Sequence, residues 1–136
     1  ETEADPTSAA FQEMGKNVAM QVAAMNAPYL NRDAVPEDVL AHEKEILTQQ
    51  IVNEGKPEAI AQKIVNGRMG KFYKENCLVE QVYVKDGDLT VQKYVDQVGK
   101  DLGAAIAVTG FVRFAKGEGL EKKVDDFAAE IASMVK

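Results

Sequence analysis

Tryptophan is absent from this 136-residue chain, and cysteine and histidine occur once each. A single cysteine, Cys77, excludes an internal disulfide and a cysteine-based zinc site, and it points to a reducing compartment. A single histidine, His42, leaves no H-x-x-x-H spacing for a metal. The two serines, Ser8 and Ser133, both stand outside a G-x-S-x-G nucleophile elbow. No apolar run approaches the ~18–20 residues that a membrane-spanning helix needs. Long basic blocks are missing as well, and the formal net charge is −6. Affinity for a phosphate backbone comes mainly from Lys and Arg, so this balance argues against nucleic acid and against an anionic membrane surface. The opening "ETEADPTSAA" has neither an initiator methionine nor the basic-then-apolar order of a secretory leader. It reads as a turn-rich lead-in to a helix, and the chain is expected to be a piece of a longer one.

What is present is mostly helical punctuation. Phe11, Met14, Val18, Val22 and Met25 follow helical steps, with Thr7 or Ser8 placed to cap them. Pro28 and Pro36 interrupt that pattern, and Pro36 followed by Glu37 and Asp38 is a helix-start signal. Leu40, Leu47 and Ile51 line one face of this second helix, with Ile46 beside them. Asn53-Glu54-Gly55 stops it, and Lys56-Pro57-Glu58 starts a third, carrying Ile60, Ile64, Val65, Met69 and Phe72 to about Lys74. Val82, Tyr83 and Val84 favour an extended segment, and Asp86-Gly87-Asp88 reads as a turn. Thr90 caps a short fourth helix with Val91, Tyr94, Val95 and Val98. "IAVTGFVRFA" alternates and predicts a strand, with Val108, Gly110, Val112 and Phe114 on one face. Residues 123–135 predict a last amphipathic helix through Val124, Phe127, Ala128, Ile131 and Val135. The expected fold class is α+β and predominantly helical, with a small antiparallel sheet packed against helices and a projecting helical hairpin. One strand makes no sheet, so it should pair with "VYV", with a missing part of a longer chain, or between copies.

Candidate chemistry is thin. His42 sits in "LAHEKEI" beside Glu43 and Glu45, which is ordinary helix-surface composition. Cys77 has no activating group nearby in sequence and reads as a small buried hydrophobe. "KGEG" at 116–119 is too short for a phosphate loop. "GRMGK" at 67–71 fails the G-x-x-x-x-G-K-[ST] spacing and follows a helix rather than a strand. "RMGKFYK" mixes cations with aromatics. Helical spacing still accounts for it, with Met69 and Phe72 on one face and Arg68, Lys71 and Lys74 solvated on another. Gly67 and Gly70 each cost about 1 kcal/mol against Ala inside a helix. The expected reason is a close approach by the second helix of a hairpin. No catalytic constellation emerges, and no enzyme activity, cofactor or metal is expected. The residues point to a protein-binding domain, with the helix–loop–helix stretch from Lys56 to Val98 as the projecting part.

Four segments carry a further likeness: "NVAMQVAAMNAPYL", "EKEILTQQIVNEGKPEAIAQKIVNGRMGKFYKENCL", "VTGFVRFAKGEGLEKK" and "DDFAAEIASMV". In content, order and spacing they resemble the translation elongation factor Ts family, from about residue 11 to the end. The resemblance implies guanine nucleotide exchange on elongation factor Tu in the cytoplasm. That is a protein-binding mechanism, which shifts Tu toward a conformation with loosened Mg²⁺ and phosphate contacts. The family's N-terminal helical domain and its "TDFV" motif do not occur here. The chain therefore resembles the C-terminal part, expected to bind Tu weakly and to lack exchange activity alone. The implied division is residues 1–53 and 103–122 as the second core subdomain, 54–102 as an inserted hairpin, and 123–136 as the C-terminal helix. A core strand is expected to end just before Glu1. The implied Tu contacts are Asn17, Met20, Gln21, Phe127 and Ile131, with Gln21 standing where members often carry His. The implied hairpin or dimerisation residues are Ile60, Ile64, Met69, Phe72 and Tyr94. The rival reading is a structural or self-association module acting through the hairpin as a homodimer.

Overall fold

The computed structural model describes residues 1–120. Helix α1 (Ala9–Met25) begins where Ser8 Oγ accepts the Phe11 N–H at 3.2 Å. It ends at Asn26, whose left-handed backbone (φ 50°) turns the chain. A 3₁₀ turn over Arg32–Ala34 follows, capped by Asn31. Helix α2 (Glu37–Asn53) starts after Pro36 with Glu37 and Asp38 at its positive end, as the sequence predicts. At its other end Gly55 (φ 75°) lets the Lys56 N–H reach the Ile51 carbonyl and its own N–H reach Val52. That is a Schellman stop, which needs a residue tolerant of positive φ. Helix α3 (Glu58–Asn76) returns antiparallel. A 3₁₀ turn (Leu78–Glu80), strand β1 (Val82–Tyr83), strand β2 (Asp86–Thr90) and helix α4 (Val91–Leu102) follow among the described residues.

Two hydrophobic clusters divide the fold. The body is built on Met14, Val18 and Val22 of α1, with Ala27, Leu78, Val91 and Val95. Phe11, Tyr94, Val98, Ile106, Val108 and Phe111 pack around it. The second cluster lies between α2 and α3: Leu47, Ile51, Ala61, Val65 and Met69, flanked by Leu40, Ile64, Phe72 and Tyr73. The steps 61, 65, 69 and 72 form the seam of α3. Ile60 falls outside it and is 50% exposed.

The structure corrects four expectations. The projecting hairpin is α2 with α3, and the expected pairing of α3 with the fourth helix does not form, since α4 packs into the body against α1. The turn lies at Val84–Lys85 and not at Asp86-Gly87-Asp88, which belongs to β2; the two-stranded sheet pairs Val82 with Thr90 and Tyr83 with Asp86. Residues 106–115 do not form a strand. Apart from a bridge between Thr2 and Ile106, they run as extended chain without a ladder, and Phe114 is 92% exposed. A strand needs the backbone N–H and C=O groups of a neighbour. Among the described residues only Glu1–Glu3 supply any here, to Ala105 and Ala107. Finally, Gly67 and Gly70 meet no close neighbour, for a Cβ built on either touches nothing within 4 Å. The glycine that a close approach does require is Gly99, where a Cβ would come within 2.9 Å of the Ala104 carbonyl as the chain folds back.

Candidate functional site

Helix α1 presents a broad inward arc. Beside the apolar row Met14–Val18–Val22 runs a buried polar row, Asn17 and Gln21, four residues apart. Gln21 is fully buried (0% exposed), and its amide joins α1 to the β-hairpin. Its Nε2 donates to Gln81 Oε1 at 3.2 Å and to the Val82 carbonyl at 3.0 Å, while its Oε1 accepts the Val84 N–H at 2.9 Å. Gln81 in turn donates to the Glu75 carbonyl at 2.8 Å, the last turn of α3. Asn17 donates to the Tyr94 hydroxyl at 2.9 Å and accepts from Lys85 Nζ at 2.7 Å. Tyr94 stacks on Tyr83 with ring centroids 4.3 Å apart. Burial, with a hydrogen bond and the neighbouring Tyr94, pushes the Tyr83 hydroxyl up to about 12.

This geometry separates the expected α1 contacts. Asn17 and Gln21 face inward with their hydrogen-bonding groups occupied, so they do not form the outer surface of α1. Met20 does, at 43% exposed, with Met25 and the β-hairpin's Val82 and Val84 also exposed. Phe127 and Ile131 lie outside the described residues. Of the expected hairpin residues, Ile64, Met69 and Phe72 belong to the α2–α3 cluster, and Ile60 lies outside its seam. Tyr94 belongs to the body. A buried Gln row was legible only as a spacing, 17 and 21 adjoining 14, 18 and 22. Amide side chains are mostly exposed, so composition alone pointed outward.

Among the described residues, no three His, Cys, Asp or Glu side chains are grouped to hold a metal ion. His42 is exposed on α2. Cys77 is buried, and burial raises its thiol pKa, aided by Glu80. A thiol held in its protonated form is a poor nucleophile. An open apolar cleft of about 400 Å³ lies between α1 and residues 106–112, with Phe11, Val18 and Phe111 in its walls. Among the described residues no helix is long and apolar enough to cross a membrane.

What remains is a pair of surfaces on a helical body and a helical hairpin. Residues 2–118 match the family described as Elongation factor TS. The chain belongs to the elongation factor Ts family. Elongation factor Ts of Clostridium botulinum (strain ATCC 19397 / Type A) is 56% identical over 123 residues, covering 90% of this chain and 40% of that protein. Elongation factor Ts of Clostridium kluyveri (strain NBRC 12016) is 52% identical over 133 residues, covering 98% and 44%. The chain thus spans less than half the length of these curated elongation factor Ts relatives.

Proposed function

We propose that this chain is the C-terminal part of a guanine nucleotide exchange factor that binds elongation factor Tu and promotes GDP release during translation elongation in the cytoplasm. The observation that carries the reading is the elongation factor Ts match over residues 2–118. It is supported by an α1 surface that offers Met20 and Met25 outward while its polar row is used internally. Exchange of this kind needs no catalytic side chain, because preferential binding to one Tu conformation shifts the population toward nucleotide release. The chain alone is proposed to bind Tu weakly and to leave GDP release nearly unaccelerated.

Titration calorimetry with Tu, followed by release of a fluorescent GDP analogue, tests both halves. Weak saturable binding with a small change in release rate is expected. Absence of binding at the highest soluble concentrations would refute the reading. Met20→Asp should weaken binding while leaving the melting temperature nearly unchanged.

Self-association through the α2–α3 hairpin is the second reading, favoured by Val52 and Ile60, both about half exposed near its tip. Here Ile60→Asp is the discriminating variant, since Met69 is buried in the hairpin's own core and its replacement would damage the fold. Loss of concentration-dependent dimers in Ile60→Asp is expected under this reading, and unchanged dimers would exclude that interface.

A further inference from the structure

The hairpin and the body have separate cores, sharing no residue of either buried cluster. They meet at a neck of two chain segments. The Tyr29 N–H reaches the Asn76 carbonyl, the Leu78 N–H reaches Tyr29, and the Val79 N–H reaches Leu30, at 2.9–3.2 Å. This is a short parallel bridge with Tyr29 opposite Cys77. Leu78 and Gln81 anchor its lower end in the body.

Two side chains tie this neck further: Gln81, whose Nε2 donates to the Glu75 carbonyl in the last turn of α3 at 2.8 Å, and Arg32. Arg32, in the 3₁₀ turn before α2, forms a two-pronged ion pair with Glu80, in the 3₁₀ turn after α3; its Nη2 lies 2.8 Å from Oε2. The same guanidinium lies 4.5 Å over the ring of Tyr73, in the last turn of α3. A planar fork suits both contacts at once, which an ammonium would not. The pair holds the Glu80 carboxyl below its ordinary pKa, chiefly through the hydrogen bond from Arg32. Cys77, fully buried, lies in the neck itself.

We propose that Arg32, clasped by Glu80 and Tyr73, is a latch that sets the angle of the α2–α3 hairpin to the body, and that its release lets the hairpin pivot as a rigid unit on the neck. The pivot follows from the division of the cores. Swinging the hairpin breaks neither apolar cluster, so the resistance to it lies in the bridge, in the Gln81–Glu75 hydrogen bond and in the latch. The hairpin tip, with Val52 and Ile60, is the part that travels furthest. The latch therefore governs where that surface is presented.

The test places spin labels on Lys16 of α1 and Lys63 of α3, both exposed, in a Cys77→Ala background. The parent should give one narrow distance distribution. Arg32→Met and Glu80→Gln should each broaden it while helix content and cooperative melting persist. The exchanged pair Arg32→Glu with Glu80→Arg should narrow it again in part. A distribution in Arg32→Met as narrow as the parent's would overturn the proposal. So would broadening that appears only with loss of helix content, since that is unfolding and not a pivot. If Cys77→Ala does not fold, thiol modification of the native Cys77 replaces the labels. Rates are compared at the thiolate limit, because Arg32 and Glu80 also act on the thiol's pKa. Loss of the exposed ion pair and the stacking should raise that limit about fivefold in Arg32→Met. An unchanged limit would overturn the latch.

Discussion

Replacing Gln21 with Leu decides whether this position is an internal tie or a free surface contact. Leu nearly preserves the volume, so packing is little disturbed. The hydrogen bonds are not preserved. Gln81 Oε1 is buried and loses a donor, while the Val82 carbonyl and the Val84 N–H are partly buried and can recruit water. An orphaned buried polar atom costs about 1–3 kcal/mol, and the two half-exposed groups add less, giving about 2–4 kcal/mol in all. For a chain of this size that corresponds to a drop in melting temperature on the order of 10 °C. Urea unfolding followed by circular dichroism measures it. A double-mutant cycle with Gln81→Leu assigns the shared part, because removing both partners of the buried pair should cost less than the sum. A loss below about 0.5 kcal/mol, the range of ordinary surface substitutions, would refute the internal role and return Gln21 to the list of exposed candidates.

Four further outcomes follow from the same structure. Gly99→Ala should destabilise by about 1–3 kcal/mol through overpacking against the Ala104 carbonyl. Gly67→Ala and Gly70→Ala should instead stabilise by up to about 1 kcal/mol each, which urea titrations of the three variants would compare. Thr90→Ala removes the side chain that accepts the Lys93 N–H at the start of α4, and should cost about 0.5–2 kcal/mol in the same assay. Tyr83 is held neutral in the folded chain, with its pKa raised from 10.0 to about 12. Its contribution should be complete below pH ~10 and lost as pH rises toward ~12, amounting to about 2 kcal/mol, and it should vanish in Tyr83→Phe. Tyrosinate absorbance followed alongside circular dichroism would measure this. A Tyr83 titration at the ordinary value would contradict its burial against Tyr94.

The parts of the fold that were legible in the sequence are those governed by local chemistry. Ser8, Pro36, Gly55, Pro57 and Thr90 mark helix ends because capping geometry involves only a few neighbouring residues. The α2 seam of Leu40, Leu47 and Ile51 was legible because helical period alone puts these residues on one face. The misses all involve a second segment. Residues 106–115 alternate as a strand does, yet Val108 and Phe111 pack inward while Val112 and Phe114 lie exposed, so the alternation breaks across Gly110. β2 was hidden because Asp86-Gly87-Asp88 has turn composition, and its pairing with β1 outweighs that propensity. Gly67 and Gly70 suggested a close approach that belongs instead to Gly99, which only the fold-back at Ala104 reveals.

The sequence by itself determined the helices of the described residues, their caps and their apolar faces, and its motifs carried the elongation factor Ts likeness. These are properties of period, composition and short spacing, and they need no knowledge of what lies opposite. Tertiary structure alone decided which helices pair. An apolar stripe states that a face must be buried without naming its partner, and α3 found α2 while α4 found α1. It also decided that Asn17 and Gln21 turn inward. A buried amide is stable only if every hydrogen bond is met, and the groups that meet these, Val82, Val84, Gln81, Lys85 and Tyr94, lie some 60–77 residues further along the chain.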